Sequence, residues 1–455
     1  MLELIKDEVS KVESEFCEIR YEVLSGTQIV VSETGVEEVS FRDNSGGAVR
    51  LIENGGLAFS SFNSIDRLRD IIKTTRTSVK TISSKSNVRL SSYQPVVNNI
   101  KTQYQIDPRT ISLDDKVSLC NSYASILKSN PKVRSIRVRY LDYNLKKYYV
   151  NSEGSAIEME FNYIGTTLVA YAVDGSNVQR AVESIARYGG YEVVNNLDTL
   201  AEEVSKRAVD LLYAEQVEGG TYNVIIDPRL AGVFAHEAFG HLSEADHVYG
   251  NNKLMEVMKL GRRFGPEFLN IIDDGNIPEF VGYTPYDDEG IPAQRTYLVK
   301  DGVLNARLHS RLTSKMMNEP LSGNARALSY EYPPIVRMTN TFIDNGDTPV
   351  EELFEKLGDG LYVIDFIGGQ TNLEMFTFSA AYGYKVENGK KTKLMRDITL
   401  TGNVFETIKN ISAIGNDLKL HSTMGGCGKS NQSPLPVSDG GPHILVNNIL
   451  IGGRT

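Results

Sequence analysis

Six consecutive residues, His236-Glu237-Ala238-Phe239-Gly240-His241, place two imidazoles on either side of a carboxylate. The chain has only six histidines in 455 residues, and three of them (His236, His241 and His247) fall within twelve positions. Neutral imidazole nitrogens suit zinc, and a glutamate beside the first histidine can take a proton from water that such a metal activates. In the well-attested pattern, H-E-x-x-H, an i, i+4 spacing puts both histidines on one helix face. Here there is one residue more. On a regular α-helix His236 and His241 would point about 140° apart, against about 40° for an i, i+4 pair. Either these are unrelated core or surface histidines, or they are a metal pair on a locally widened helix. A π-type turn repeats every five residues and is found disproportionately at functional sites, and Gly240 lowers the steric cost of irregular backbone there. The metal reading is the one carried forward. It requires a third ligand from elsewhere in the chain.

A pair of ligands needs a rigid carrier. Thr221–Ile226 is a buried strand pattern that runs into Asp227-Pro228, an Asp cap followed by Pro in the first turn, which starts a helix leading into the motif. Beyond it, 249–264 is polar and basic and reads as an exposed arm. A long series of short strands separated by glycine turns then reaches the C-terminus, which indicates a large antiparallel β domain. In the first half, Leu2, Ile5, Val9 and Val12 mark a helix to about Ser14. Alternating segments follow, with turns read at Ser25-Gly26 and Asn54-Gly55-Gly56. A Ser-, Asn- and Lys-rich connection spans 83–108, and the same plan of helix, hairpin strands and helix then begins again. In this second round 178–188 and 197–212 carry helical patterns. The expected fold class is α+β. It has an N-terminal half of helices and meanders with a candidate internal duplication, and a mainly antiparallel C-terminal β domain carrying the motif helix. A chain of 455 residues is too long for one core. The divisions expected are 1–108, 109–218 and 219–455.

Composition narrows the partners. The net charge is −10, and no basic block interrupts it beyond Lys390-Lys391-Thr392-Lys393 and Arg262-Arg263, so nucleic-acid binding is not expected. No apolar run reaches the roughly 18 residues of a membrane span, and the first residues form an acidic amphipathic pattern rather than a signal peptide. Three scattered cysteines, Cys17, Cys120 and Cys427, argue against a disulfide framework and for a reducing compartment. A cytoplasmic location is the expectation.

Among the cysteines, Cys427 stands apart. It lies in Met424-Gly425-Gly426-Cys427-Gly428-Lys429, and flanking glycines provide no packing but let the backbone approach something closely. It reads either as a thiolate ligand on a permissive loop or as a free thiol on a tail.

Several separated stretches together resemble the TldD/PmbA family, specifically its TldD-like branch. They are the His236–His241 motif, Asp287-Asp288-Glu289-Gly290-Ile291-Pro292-Ala293-Gln294-Arg295-Thr296, the segment Pro334–Thr341, Gly368-Gly369-Gln370, and the Met424–Gly428 loop. The resemblance implies a metallopeptidase that hydrolyses short or unfolded peptides. It further implies one zinc ion per catalytic chain, held by His236, His241 and Cys427, with Glu237 as the catalytic general base. The PmbA-like (TldE-like) branch lacks this set. The family's two-subunit habit implies a homodimer, or a heterodimer with a PmbA/TldE-like subunit. Leu242-Ser243-Glu244-Ala245-Asp246 matches the family's acidic stretch only loosely, so neither acid is assigned a role. Arg295 and Arg337 read either as oxyanion donors or as structural ion-pair residues. Two other functions compete. One is a non-catalytic peptide-binding or partner subunit of a TldD/TldE-type assembly, which leaves the three ligands together unexplained. The other is a cysteine hydrolase with Cys427 as nucleophile and a histidine as base.

Overall fold

The computed structural model describes residues 1–82, 87–372 and 374–452. The first half is organised by one mainly antiparallel sheet. Its main strands are β1 (Phe16–Ser32), β2 (Gly35–Glu53), β3 (Gly56–Phe62), β4 (Val97–Lys101), β5 (Val133–Asn151), β6 (Ala156–Asp174) and β7 (Asn177–Tyr188). They run in the order β3-β2-β1-β5-β6-β4, with β7 pairing the far part of β6. The helices are α1 (Leu2–Ser10), α2 (Leu68–Ile82), α3 (Leu113–Leu127) and α4 (Asp198–Leu212). The sequence α1-β1-β2-β3-α2 is thus matched by α3-β5-β6-β7-α4, and β1 pairs with β5 along their lengths at the junction. Each helix pair covers its own end of the sheet. Ile5, Val9 and Leu68 pack on Ile19 and Val49 at one end, and Tyr123, Leu127 and Val204 pack on Val138 and Leu168 at the other.

Three local expectations are corrected. The chain does not turn at Ser25-Gly26 but runs straight on as β1. A β-carbon at Gly26 would lie 2.2 Å from the Asp142 carbonyl oxygen, so this glycine marks a close approach between strands. Residues 178–188 are strand rather than helix, because a hairpin through Gly175 (φ +60°) returns them along the free edge of β6. The 83–108 connection contains β4, parallel to the start of β6; its residues 83–86 lie outside the described residues.

The second half wraps a closed ring of five strands. Gly360–Asn372 pairs with Gly220–Ile226, and that strand pairs with Ile444–Gly452. The last then pairs with Thr399–Asn403, which pairs with Met375–Glu387, which returns to Gly360–Asn372. Phe376, Phe378, Val224 and Val446 of this ring belong to one large buried apolar core. Beyond Val363 the strand Gly360–Asn372 loses its pairing with Gly220–Ile226, and past the Asp365 N–H, which donates to Asp227, no strand among the described residues pairs with that free edge. A second sheet includes Ile271–Asp274, Asn340–Ile343, Ser438–Gly441 and Lys419–His421, in that order. Helix α5 (Pro228–Ala235) is clamped between this sheet and the ring. Among the described residues no helix is long and apolar enough to cross a membrane.

Buried charge joins the halves. Asp288 and Glu289, in a turn of the second half, enter the N-terminal sheet. Arg50 of β2 binds Glu289 (2.6 Å) and Glu18 (2.8 Å), while Lys147 of β5 and Arg20 of β1 (3.7 Å) meet Asp288. Glu289 also accepts a hydrogen bond from the Arg311 backbone N–H (2.6 Å). Removing one partner of such a set strands the others without water, at a cost of about 3–5 kcal/mol. Arg50→Met is therefore expected to lower unfolding stability by about that much in urea titration. A change below about 1 kcal/mol would mean the set contributes little.

Candidate metal centre

The site begins at a helix cap. The Asp227 carboxylate accepts the Leu230 N–H (3.0 Å) and the Asp365 N–H (2.9 Å), and Pro228 sets the first turn of α5. After Ala235 the helix widens into a π-helical turn, His236–Gly240, closed by the His241 N–H donating to the His236 carbonyl. The widening removes the angle that a regular helix would put between the two histidines. Their ring centroids are 5.0 Å apart with the planes crossed at 86°. Gly240 is required by packing: a β-carbon there would lie 1.9 Å from the sulfur of Met338, itself fully buried.

Cys427 arrives from the other end of the chain. Its loop is held by Arg337, which is fully buried and donates to the carbonyls of Cys427 (2.7 Å) and Gln432 (3.2 Å). Arg337 is thus a structural residue of this loop, and Arg295 pairs with Asp274 (3.6 Å) and Asp344 (3.4 Å), as a structural ion pair would. At Gly426 a β-carbon would meet the Leu435 carbonyl oxygen at 2.4 Å, so the glycine allows the close turn that presents the sulfur. Cys427 Sγ lies 3.3 Å from His241 Nε2, and one donor atom from each of His236, His241 and Cys427 falls within 4.8 Å of the others.

Two imidazole nitrogens and a thiol at this spacing fit a zinc ion, whose bonds to such donors are about 2.0–2.3 Å. Electrostatics agree with the donor chemistry. Burial pushes the Cys427 thiol up, but hydrogen bonds and charge from His236 and His241 outweigh it and bring its pKa down to about 5. Cys17 and Cys120 have no such neighbours, and burial pushes both up to about 12. Burial lowers His241, and the Cys427 sulfur and the Glu244 carboxylate more than reverse this, to about 10. Protons and a metal ion thus compete for one set of atoms.

The sequence assigns no role to Glu244, but the structure buries it completely, with Oε2 3.1 Å from His241 Nδ1. A carboxylate on the remaining nitrogen fixes the ring's orientation and tautomer. Glu244 and Asp246 are in turn bound by Lys429 (3.2 and 2.6 Å), two residues after the cysteine. This one lysine ties the two ligand-bearing segments together. His236 Nδ1, by contrast, is buried and has no hydrogen-bond partner among the described residues.

The donors open on a cavity of about 940 Å³. Glu237 lies on its wall beside His236, and Phe366 and Thr371, on the free strand edge, line it as well. One end is rich in charge. Arg229, on the first turn of α5, binds Glu183 (2.7 Å) and Asp365 (3.0 Å), and its Nε–H donates to His421 Nδ1 (3.3 Å). Asp439 completes this end; burial raises its pKa to about 6, against the lowering influence of His236 and Arg229. None of Arg229, Asp365, His421 and Asp439 stands out by motif, and only their shared helix face and strand register bring them together. The remaining histidines lie outside the group of His236, His241 and Cys427. His309 binds Glu319 (3.0 Å) and His443 binds Asp417 (2.8 Å), while the half-exposed His247 lies at the cavity rim, 3.7 Å from Glu244.

Three family models match the chain in order. They are PmbA/TldA metallopeptidase domain 1 at residues 17–81, the central domain at 106–212, and the C-terminal domain at 219–453. A metalloprotease of Synechocystis is 42% identical over 443 residues, covering 97% of this chain and 95% of that protein. A zinc metalloprotease TldD homolog of Saccharolobus solfataricus is 30% identical, covering 96% of each. The crystal structure of TldE from Thermococcus kodakarensis superposes with a TM-score of 0.76 over 99% of both chains. At 17% identity that likeness is one of fold.

Two measurements probe the geometry. Gly240→Ala is expected to weaken zinc binding at least tenfold in a chelator-competition titration, because overpacking costs about 1–3 kcal/mol at a position that shapes the site. Adding Met338→Ala relieves the collision and should recover part of the loss. In metal-free protein, alkylation of Cys427 should hold nearly constant from pH 8 to 6 and fall only toward pH 5, where the thiolate is lost. An ordinary thiol with a pKa of about 8.5 would slow roughly a hundredfold over the same interval.

Proposed function

This chain belongs to the PmbA/TldD metallopeptidase family, and from that premise we propose that it is a zinc-dependent peptidase acting on short or unfolded peptides. The observation that carries the proposal is the convergence of His236, His241 and Cys427 within 4.8 Å of one another on a cavity whose wall includes Glu237. These three residues hold one zinc ion per chain, a choice supported by the soft sulfur donor and by the name of the Saccharolobus relative. When bound, zinc supplies Lewis acidity to a water molecule and to the scissile carbonyl. Glu237 takes the proton of the attacking water and delivers it to the departing amine, as one carboxylate on the cavity wall can do for both. Glu244 keeps the His241 ring oriented throughout.

The substrate pairs along the free edge of Gly360–Asn372, where an extended peptide adds a strand and main-chain hydrogen bonds supply the affinity. Such binding reads backbone rather than side chains and excludes folded proteins. The likeness to TldE supports assembly with a second subunit, either another copy or a PmbA/TldE-like chain. The divisions 1–108, 109–218 and 219–455 and a cytoplasmic location belong to the same proposal.

Glu237→Gln is expected to retain about one zinc per chain by elemental analysis and to lose hydrolysis of unstructured peptides by about 10²–10⁴-fold. Hydrolysis at the parental rate by that variant would remove Glu237 from the reaction. A thiol-directed activity that survives chelation would point instead to Cys427 as nucleophile.

A further inference from the structure

Asp439 is a half-buried carboxylate on the cavity wall, and among the described residues it makes no hydrogen bond or ion pair. The groups whose charge lowers its pKa, His236 and Arg229, are both otherwise committed, the first to the candidate metal set. Arg229 spends its three arms on Glu183, Asp365 and His421. His421 sits directly opposite Asp439 in the antiparallel pairing of Lys419–His421 with Ser438–Gly441, but its Nδ1 lone pair is taken by the Arg229 Nε–H. Burial, with Arg229, Arg187 and Lys419 nearby, holds its pKa down to about 3, so it faces Asp439 as a neutral ring. The wall therefore presents a carboxylate whose counter-ion the protein does not provide. Being only half-buried, it is open to the cavity that it lines.

The position of Asp439 relative to the metal donors follows from α5. A β-carbon at Gly232 would lie 2.2 Å from the Gly440 nitrogen and 2.9 Å from the Asp439 carbonyl carbon, so the strand crosses the helix at Gly232. Gly232 precedes His236 by four residues, about 6 Å along the axis. An extended peptide advances about 3.3 Å per residue. A substrate lying along α5 with its scissile bond at His236 thus presents, level with Asp439, a group about two residues away.

We propose that Asp439 is a specificity-determining residue that receives a cationic amine of the peptide, about two residues from the bond cleaved and on the Arg229 side of the cavity. The inference rests on the cavity being a peptide site. The amine is either a lysine side chain or a free amino terminus; both offer the same ammonium group, and a charge-assisted hydrogen bond in this partly desolvated place favours either.

The test reads binding, not turnover. Zinc-loaded Glu237→Gln protein is titrated against labelled unstructured decapeptides in fluorescence anisotropy. The set comprises a free amino terminus without lysine, an acetylated peptide scanned with single lysines, and an acetylated peptide with norleucine in place of lysine. At least one amine-bearing arm should bind about tenfold more tightly than the norleucine peptide, and adding Asp439→Asn should bring that ratio to about one. The arm that responds identifies the source of the amine. Equal binding by all peptides, or a preference that survives Asp439→Asn, overturns the proposal. So does loss of zinc from the Asp439→Asn protein, which would make Asp439 a positioning residue for His236. Failure of the peptidase reading shows separately, as equal hydrolysis by the parent and by Glu237→Gln.

Discussion

One extra residue in a helical turn governs the geometry of this molecule's C-terminal half. Histidines five apart diverge by about 140° on a regular helix, and the π-helical turn at His236–Gly240 brings their rings to 5.0 Å. Such a turn is poorly supported by its own hydrogen bonds, so the surroundings must hold it. Met338 fills the space beside Gly240, the Asp227 cap anchors the helix start, and the clamp between ring and sheet leaves α5 no room to slide. The irregularity is local because everything around it is regular.

The same half solves a second problem, which is how to bring a residue 186 positions away to within bonding reach of the turn. Arg337 fixes the cysteine loop by its carbonyls rather than by its side chain, leaving the sulfur unencumbered. Lys429 then connects that loop to Glu244 and Asp246, so that the carboxylate orienting His241 is oriented by the segment carrying Cys427. Breaking that lysine's contacts would disturb two of the candidate donors at once. A site built this way is preorganised by charge, and its donor atoms are poised to give up protons to an incoming cation.

The sequence carried the motif helix, its Asp-Pro start, the widened turn and the glycine-flanked cysteine, because each is written in neighbouring residues. The alternation of helix and strand clusters in the first half was legible for the same reason, and the two halves of the N-terminal sheet do follow one plan. What failed were readings that depend on partners. Gly26 looked like a turn because the opposing Asp142 carbonyl is 116 residues distant in the chain, and 178–188 looked helical because the waiting edge of β6 is invisible locally. Glu244 was named but given no role, and the Arg229–Asp365–His421–Asp439 end escaped notice, for a similar reason. The four residues of that end come from α5, from the ring and from two strands of the second sheet, and their common spacing exists only in three dimensions.

The turn carrying Asp288 and Glu289 has one more implication. Among the described residues its two carboxylates form their ion pairs with cations of β1, β2 and β5, inside a sheet made wholly from the first half of the chain. A fragment beginning at residue 219 would keep every proposed ligand and yet expose this acidic turn bare, along with the apolar face it sits on. The C-terminal half is therefore not a portable module. Its partner in folding is encoded upstream, and a gene fragment lacking that sheet would yield a protein with an intact ligand list and an unsupported shell.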